Sequence, residues 1–209
     1  MRPPTTTRLI AASALGLALA AAAVAPASAD PAGDAGIDVN VTIDDTGTPG
    51  RLSMTVAANN GVTLTENGSD AAARQFTGVT PTVTITDTRR PQDIPAGSFW
   101  AVVGQASEFT PTGGGTGFGS EHLGWKPRLL TGTTTGAVAP GEPVSSVISD
   151  GTGAPAVGLR GQELLVSTAN AADETGSWDV NADLVLRTPA DVRAGQYRST
   201  LTLSLFDQS

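Results

Sequence analysis

The chain carries a single histidine, His122, with Ser120 and Glu121 beside it, and no cysteine. Any nucleophile-His-acid triad would have to use that imidazole. No Gly-x-Ser-x-Gly elbow occurs, and Ser120 and Glu121 point to different faces of an extended backbone, so the three groups do not converge. His122 reads instead as a loop residue, hydrogen-bonded or solvated. A zinc site would need carboxylates at usable spacing around it, and there are none. Paired acids are the other route to chemistry: Glu66 with Asp70, Glu108 with Glu121, or Glu163 with Glu174 could meet across a glycosidase cleft. None lies in an aromatic-rich stretch that would hold a sugar ring, and acids on an exported protein usually form a solvated face. Asp44-Asp45 and Asp87 lack the ligand spacing of an EF-hand and read as turn residues. Five glycines between Gly113 and Gly119 form a flexible loop, since no Gly-Lys-Ser/Thr follows to make a phosphate cradle. The expectation is a protein without catalytic residues, metal or cofactor.

Aromatic side chains remain as binding candidates. Trp100 sits among Phe99, Val102 and Val103, where core packing is its ordinary role. Trp125 follows Gly124 and precedes Lys126-Pro127, a strand start that suits a partly exposed ring. Trp178 heads an apolar face and reads as core.

The elements that must position these residues are strands. Residues 83–109 organise the chain: Thr82 to Thr86 alternates polar with β-branched residues, a loop with two prolines and a glycine follows, and Phe99 to Val103 resumes a β-prone run. That segment is a hairpin or a strand crossover. Before it, Ile37, Val39, Val41 and Ile43 alternate with polar residues and turn at Asp44 to Gly50 into Leu52, Met54 and Val56, which predicts a hairpin. Val62 to Thr65 reads as a short strand ended by Glu66-Asn67-Gly68, and residues 70–74 could hold one helical turn at most. Downstream, Trp178, Val180, Ala182, Leu184 and Leu186 fall on alternate positions and predict one buried sheet face. Residues 199–205 alternate as a last strand, and Asp191, Gly195 and Tyr197 before it have the pattern of a tyrosine corner. About a dozen short strands with no amphipathic helix predict an all-β fold, an antiparallel, Ig-like β-sandwich in one domain.

Residues 1–29 stand apart. Arg2 and Arg8 precede an Ala/Leu-rich run from Leu9 to Ala25, and Ala27-Ser28-Ala29 is an A-x-A site, so these residues are expected to be a cleaved signal peptide and residues 30–209 the exported domain. Taking those two arginines from 12 basic residues leaves 10 against 20 acids, a formal charge of −10. Nucleic acid is an unsuitable partner at that charge. With no cysteine in a compartment that permits disulfides, the core must hold the fold unaided.

Two segments resemble the WxL domain of Gram-positive surface proteins. One is Val83-x-Ile85-x-Asp87-x-Arg89 followed by Phe99-Trp100-Ala101-Val102-Val103 and Gln105-x-Ser107-x-Phe109; the other is Gly195-x-Tyr197-x-x-Thr200-Leu201-Thr202-Leu203-Ser204-Leu205. In that family a Trp-x-Leu follows an Asp-x-Arg loop and a second lies in the last strand. Here the first is Trp100-Ala101-Val102 and the second Leu203-Ser204-Leu205, with Leu203 where the second Trp would stand. The resemblance implies a secreted, non-catalytic protein that attaches non-covalently to peptidoglycan or another cell-wall polymer, with a membrane-anchored WxL-interacting protein as a second partner. By carry-over, Trp100, Val102, Leu203 and Leu205 are binding residues, to which Trp125 and Tyr197 are added as aromatics; alternatively the motif is a core signature. Two other functions stay open: a structural or adhesin-like subunit of a surface complex, and a wall-directed glycosidase. Because a wall rich in teichoic phosphates is anionic, a −10 protein must be held there by aromatic and hydrogen-bond contacts or by bridging cations.

Overall fold

Trp178 heads the longest strand, and its alternation is that of a sheet buried on one face only. The computed structural model describes residues 49–58, 61–133, 135–148 and 153–208; the leader, the predicted strand at 37–43 and Asp44-Asp45 lie outside them. Strands in chain order are β1 (Leu52–Val56), β2 (Thr65–Glu66), β3 (Ala73–Val79), β4 (Val83–Asp87), β5 (Phe99–Ala106), β6 (Thr110–Pro111), β7 (Leu123–Thr131), β8 (Val138–Pro140), β9 (Glu163–Thr168), β10 (Gly176–Pro189), β11 (Tyr197–Arg198) and β12 (Leu201–Gln208). Their pairing is antiparallel throughout. The only helical elements among the described residues are three 3-10 turns, so the chain is an all-β antiparallel sandwich.

The larger sheet is built on β10. One edge of β10 takes β4 along residues 176–180 and β3 along 183–189, end to end, while its other edge takes β7. The break between β3 and β4 falls at Thr80-Pro81, because proline has no N–H to give the ladder. Thr80 repairs the gap: its backbone N–H bonds the Ala182 carbonyl at 2.9 Å, and its hydroxyl accepts the Ala182 N–H at 2.9 Å. β1 extends this sheet beyond β4 and β2 beyond β3. The predicted strand from Val62 is shorter than expected, leaving only Thr65–Glu66 paired to β3, and residues 70–72 bend without forming a helical turn.

The smaller sheet has the order β12-β5-β9-β8. β4 and β5 therefore lie in different sheets, and the organising segment is a crossover rather than a hairpin. Between the sheets lie Val83, Ile85, Trp178, Val180, Ala182, Trp125, Trp100 and Val102, all buried. Trp178 from the large sheet and Trp100 from the small one meet with centroids 5.4 Å apart at 45°. Trp125 crosses the gap onto Gly104 of β5, where a Cβ would stand 2.5 Å from the indole Cη2 and 3.0 Å from Leu203 Cδ2. Gly104 is there because the ring occupies the space of its side chain.

None of the three buried indole N–H groups has a hydrogen-bond partner among the described residues. Each orphan costs about 1–3 kcal/mol, whereas burying a Trp removes about 150–250 Å2 from water, worth about 4–6 kcal/mol at 25 cal/mol per Å2. Ring burial wins at each position, which fits a core that has no disulfide to assist it.

Gly104→Ala is expected to destabilise the fold by about 1–3 kcal/mol, the usual range for overpacking. Gly113→Ala, whose Cβ meets nothing within 4 Å, serves as the matched control in urea denaturation. Equal midpoints for the two variants would contradict the Trp125 packing described here.

Candidate functional site

The pairing of β5 with β12 brings the two family-like segments side by side. Leu205 lies opposite Val102, Leu203 opposite Gly104 and Asp207 opposite Trp100. Alternation then sends Trp100, Val102, Leu203 and Leu205 to the inner face, where the two leucines pack half-buried against the core. Trp100 and Val102 have no exposed surface and Trp125 has 2%. This corrects the expectation that Trp100, Val102 and Trp125 touch a ligand: a fully enclosed side chain presents no face to a sugar or a protein. Trp125 in particular is core, because Gly124 lets its strand approach Val144 closely enough for reciprocal backbone bonds of 2.8 and 2.9 Å. Leu203 and Leu205 also point away from the outer surface.

Tyr197 is half-buried, and its hydroxyl donates to the Arg193 carbonyl at 2.9 Å. That is the tyrosine corner predicted from Asp191, Gly195 and Tyr197. Its ring tilts against Phe118 at 5.1 Å, Phe118 stacks on Phe109 at 4.9 Å, and His122 meets the Phe118 edge at 5.7 Å. The His122 Nδ1 lies 2.8 Å from the Arg187 carbonyl; a carbonyl can only accept, so Nδ1 carries the proton and the imidazole is a structural donor. Beside the corner, the glycine loop and Arg193 line a shallow cleft of about 210 Å3.

The Asp-x-Arg pair has a clear structural task. Arg89 grips the Asp87 carboxylate through Nε at 2.9 Å and Nη2 at 2.7 Å, and its Nη1 reaches Asp207 of β12 at 2.9 Å. Asp87 also accepts the Arg89 backbone N–H at 3.0 Å. One guanidinium thus ties the end of β4 to β12, clamping the large sheet to the small one. The Asp87 hydrogen bonds raise the Arg89 pKa further above its already high value. With both its oxygens bound by arginine, Asp87 is a turn and clamp group.

Of the candidate acids, Glu66, Asp70 and Glu174 are committed to ion pairs or hydrogen bonds. Glu174 accepts from Thr133 Oγ1 at 3.2 Å, from the Thr135 N–H at 3.0 Å and from the Thr135 hydroxyl, stapling its loop. Glu163 opens β9, whereas Glu174 lies beyond the far end of that strand, past Thr168. Burial raises the Glu163 pKa. Asp70 is held by the Ala72 and Ala73 N–H groups, both 2.8 Å, and by Arg187 at 3.0 Å, contacts that lower its pKa. Glu66 forms a two-point pair with Arg74, 3.1 and 2.8 Å, and accepts the Ser69 hydroxyl at 2.8 Å. Among the described residues no three or more acids, histidines or cysteines come together in a metal-holding group.

What the sequence reading passed over is the outer face of the small sheet. Once Trp100 and Leu205 point inward, their neighbours Phe99 and Phe206 must point outward, and they are 39% and 47% exposed. Strict alternation along β5 and β12 is the sequence signal for it. No protein-family model matches this chain, and neither does any curated protein or solved structure.

Arg89→Met is expected to cost about 3–5 kcal/mol, because Asp87 would be left buried and unpaired, whereas Asp207→Asn removes a partly exposed partner and costs about 1 kcal/mol or less. Chemical denaturation checks this; similar losses for both would refute the clamp's asymmetry. The Glu66 pKa is lowered from 4.5 to about 2, first by the Arg74 hydrogen bond and then by that from Ser69. Because the folded value is the lower one, this pair's contribution is present above pH 4.5 and fades as pH falls from 4.5 through about 2. A carboxyl 13C titration should find the midpoint near 2 and Arg74→Gln should return it towards 4.5; a wild-type midpoint at the ordinary value would dismiss the pairing.

Proposed function

We propose that this chain is an exported, non-catalytic surface protein whose sandwich attaches non-covalently to the cell wall, through peptidoglycan. The observation that carries this reading is the meeting of its two family-like segments. Residues 99–106 and 201–208, about 100 positions apart in sequence, lie as paired strands, and the Asp87-x-Arg89 that precedes the first reaches back to the second through Asp207. Residues that resemble a wall-attachment family in order and spacing thus form one contiguous unit. In this reading the Trp-x-Val and Leu-x-Leu motifs work as a core signature that shapes the unit, and the ligand meets another surface.

A non-catalytic role accords with what the side chains are occupied in doing. Glu66, Asp70, Asp87 and Glu174 are engaged in ion pairs or loop staples, and His122 in a backbone bond. Export follows from the reading of residues 1–29 as a leader, and attachment without a covalent anchor follows from the resemblance. A second reading, a subunit of a surface assembly that takes a protein partner, is favoured by one feature. β12 pairs only with β5 among the described strands, leaving an outer edge that could accept a strand.

Purified residues 30–209 should sediment with isolated peptidoglycan at moderate salt. Protein that stays in the supernatant, while a membrane-anchored partner retains it in a pull-down, would replace wall attachment with the assembly reading.

A further inference from the structure

The small sheet turns an unusual face to solvent. β5 directs Phe99, Ala101 and Val103 outward, β9 adds Leu164 and Ser167 at the registers of Val103 and Ala101, and β12 places Phe206 directly opposite Ala101. Phe99 lies opposite Gln208, two positions along, so the two phenyl groups are diagonal neighbours at about 7–8 Å between backbones. The small Ala101 side chain lies beside Phe206. No outward position of β5, β8, β9 or β12 is charged; the remaining ones are Ser, Thr, Gln and Ala. The large sheet differs: its outer side carries the Arg128–Asp183 ion pair at 2.9 Å, and Asp179 receives the hydroxyls of Thr84 at 2.6 Å and Thr131 at 3.0 Å.

Core packing does not account for the two phenylalanines. The core between the sheets is filled by the tryptophans and aliphatic residues, and Phe99 and Phe206 are among the exposed large hydrophobic residues. A contiguous apolar face with a polar margin on a soluble fold marks a contact surface. Charge selects what it contacts. The chain carries a formal net charge of −8, or −10 without the leader. A second copy or an anionic polymer would approach against that field, whereas an uncharged ligand meets no penalty. The outward Thr202, Ser204 and Gln208 side chains offer short neutral donors and acceptors suited to hydroxyl and acetamido groups, while Gln105 donates to the Arg160 carbonyl at 2.8 Å. Exposed phenyl rings complement the C–H face of a pyranose.

We infer that this face, centred on Phe99 and Phe206, binds uncharged N-acetylated glycan strands of the wall. The inference rests on the wall-attachment reading above and names the surface and the ligand chemistry that serve it. The glycan lies across β12 and β5, its apolar ring faces on the two phenyl groups and its hydroxyls on the flanking polar residues.

The test uses the mature chain with F99A/F206A, F99L/F206L and F99Y/F206Y, each first checked for an unchanged urea midpoint. Retention on peptidoglycan stripped of teichoic acid is then measured, with soluble N-acetylglucosamine oligomers as competitor. Expected are binding by wild type, competition by the oligomers, retention by the Tyr pair, and a loss of about tenfold or more in both the Ala and Leu pairs. The Leu pair keeps apolar bulk without the ring, so it decides the matter should the Ala pair fail to fold. Undiminished binding by the Leu pair overturns this inference and leaves wall attachment standing; wild type that fails to bind overturns both. Competition by stem peptides instead of glycan oligomers, or a concentration-dependent dimer abolished by the same substitutions, also overturns it.

Discussion

Two sheets without a disulfide between them must be kept together by what lies in the gap, and here that is the contact of Trp100 with Trp178, 5.4 Å between rings. Each ring comes from a central strand of its sheet, β5 and β10, so the contact joins the two elements on which the other strands are laid. Trp125 reaching over Gly104 adds a second crossing from β7. At the rim, Arg89 closes the gap from β4 to β12. The hydrophobic contacts supply most of the attraction and carry little directional information. The guanidinium, with fixed fork geometry and a buried carboxylate to hold, sets where the sheets lie along each other.

That division of labour explains which parts of the molecule were legible in the amino-acid sequence. Strands whose burial is one-sided announce themselves by period, and Val83 to Asp87, Trp178 to Leu186 and the last strand were readable on that ground. The tyrosine corner was readable because its signature is local, a Tyr four residues past the carbonyl it bonds. Pairings between distant strands were not. Nothing in Phe99 to Val103 alone says whether it returns beside residues 83–87 or crosses to another sheet, since both give the same alternation. Val62 to Leu64 has a strand's composition yet stays unpaired in the described structure; side-chain contact around Gly78 takes Leu64 and Val62 instead.

The candidate site shows the same limit from the other side. Tryptophan is both a preferred core residue and a preferred binding residue, and its type alone cannot choose between them. What chooses is the parity of the strand. In β5, residue 100 faces Trp178 and residue 99 faces water, so the residue that looked functional is structural and its neighbour is the exposed one. The same parity in β12 makes Leu203 and Leu205 inner residues and Phe206 an outer one. Leu203 is then a packing residue beside Gly104, against which Trp125 also lies.

Charge constrains function more tightly than any single residue does. At −8, or −10 without residues 1–29, the chain would be repelled by any anionic polymer, and at physiological ionic strength that repulsion decays over about 8 Å. Contact must therefore be made at short range by groups that carry no charge of their own. Among the described residues, the exposed rings of Phe99 and Phe206 lie on the outer face of the β12-β5-β9-β8 sheet, while the Arg128–Asp183 ion pair of the β10 sheet lies on the opposite side of the sandwich. A protein so built does not need to be attracted to its ligand from a distance. On the proposed wall-attachment reading, it needs only to be confined near the ligand and then to present a neutral surface that the ligand can cover.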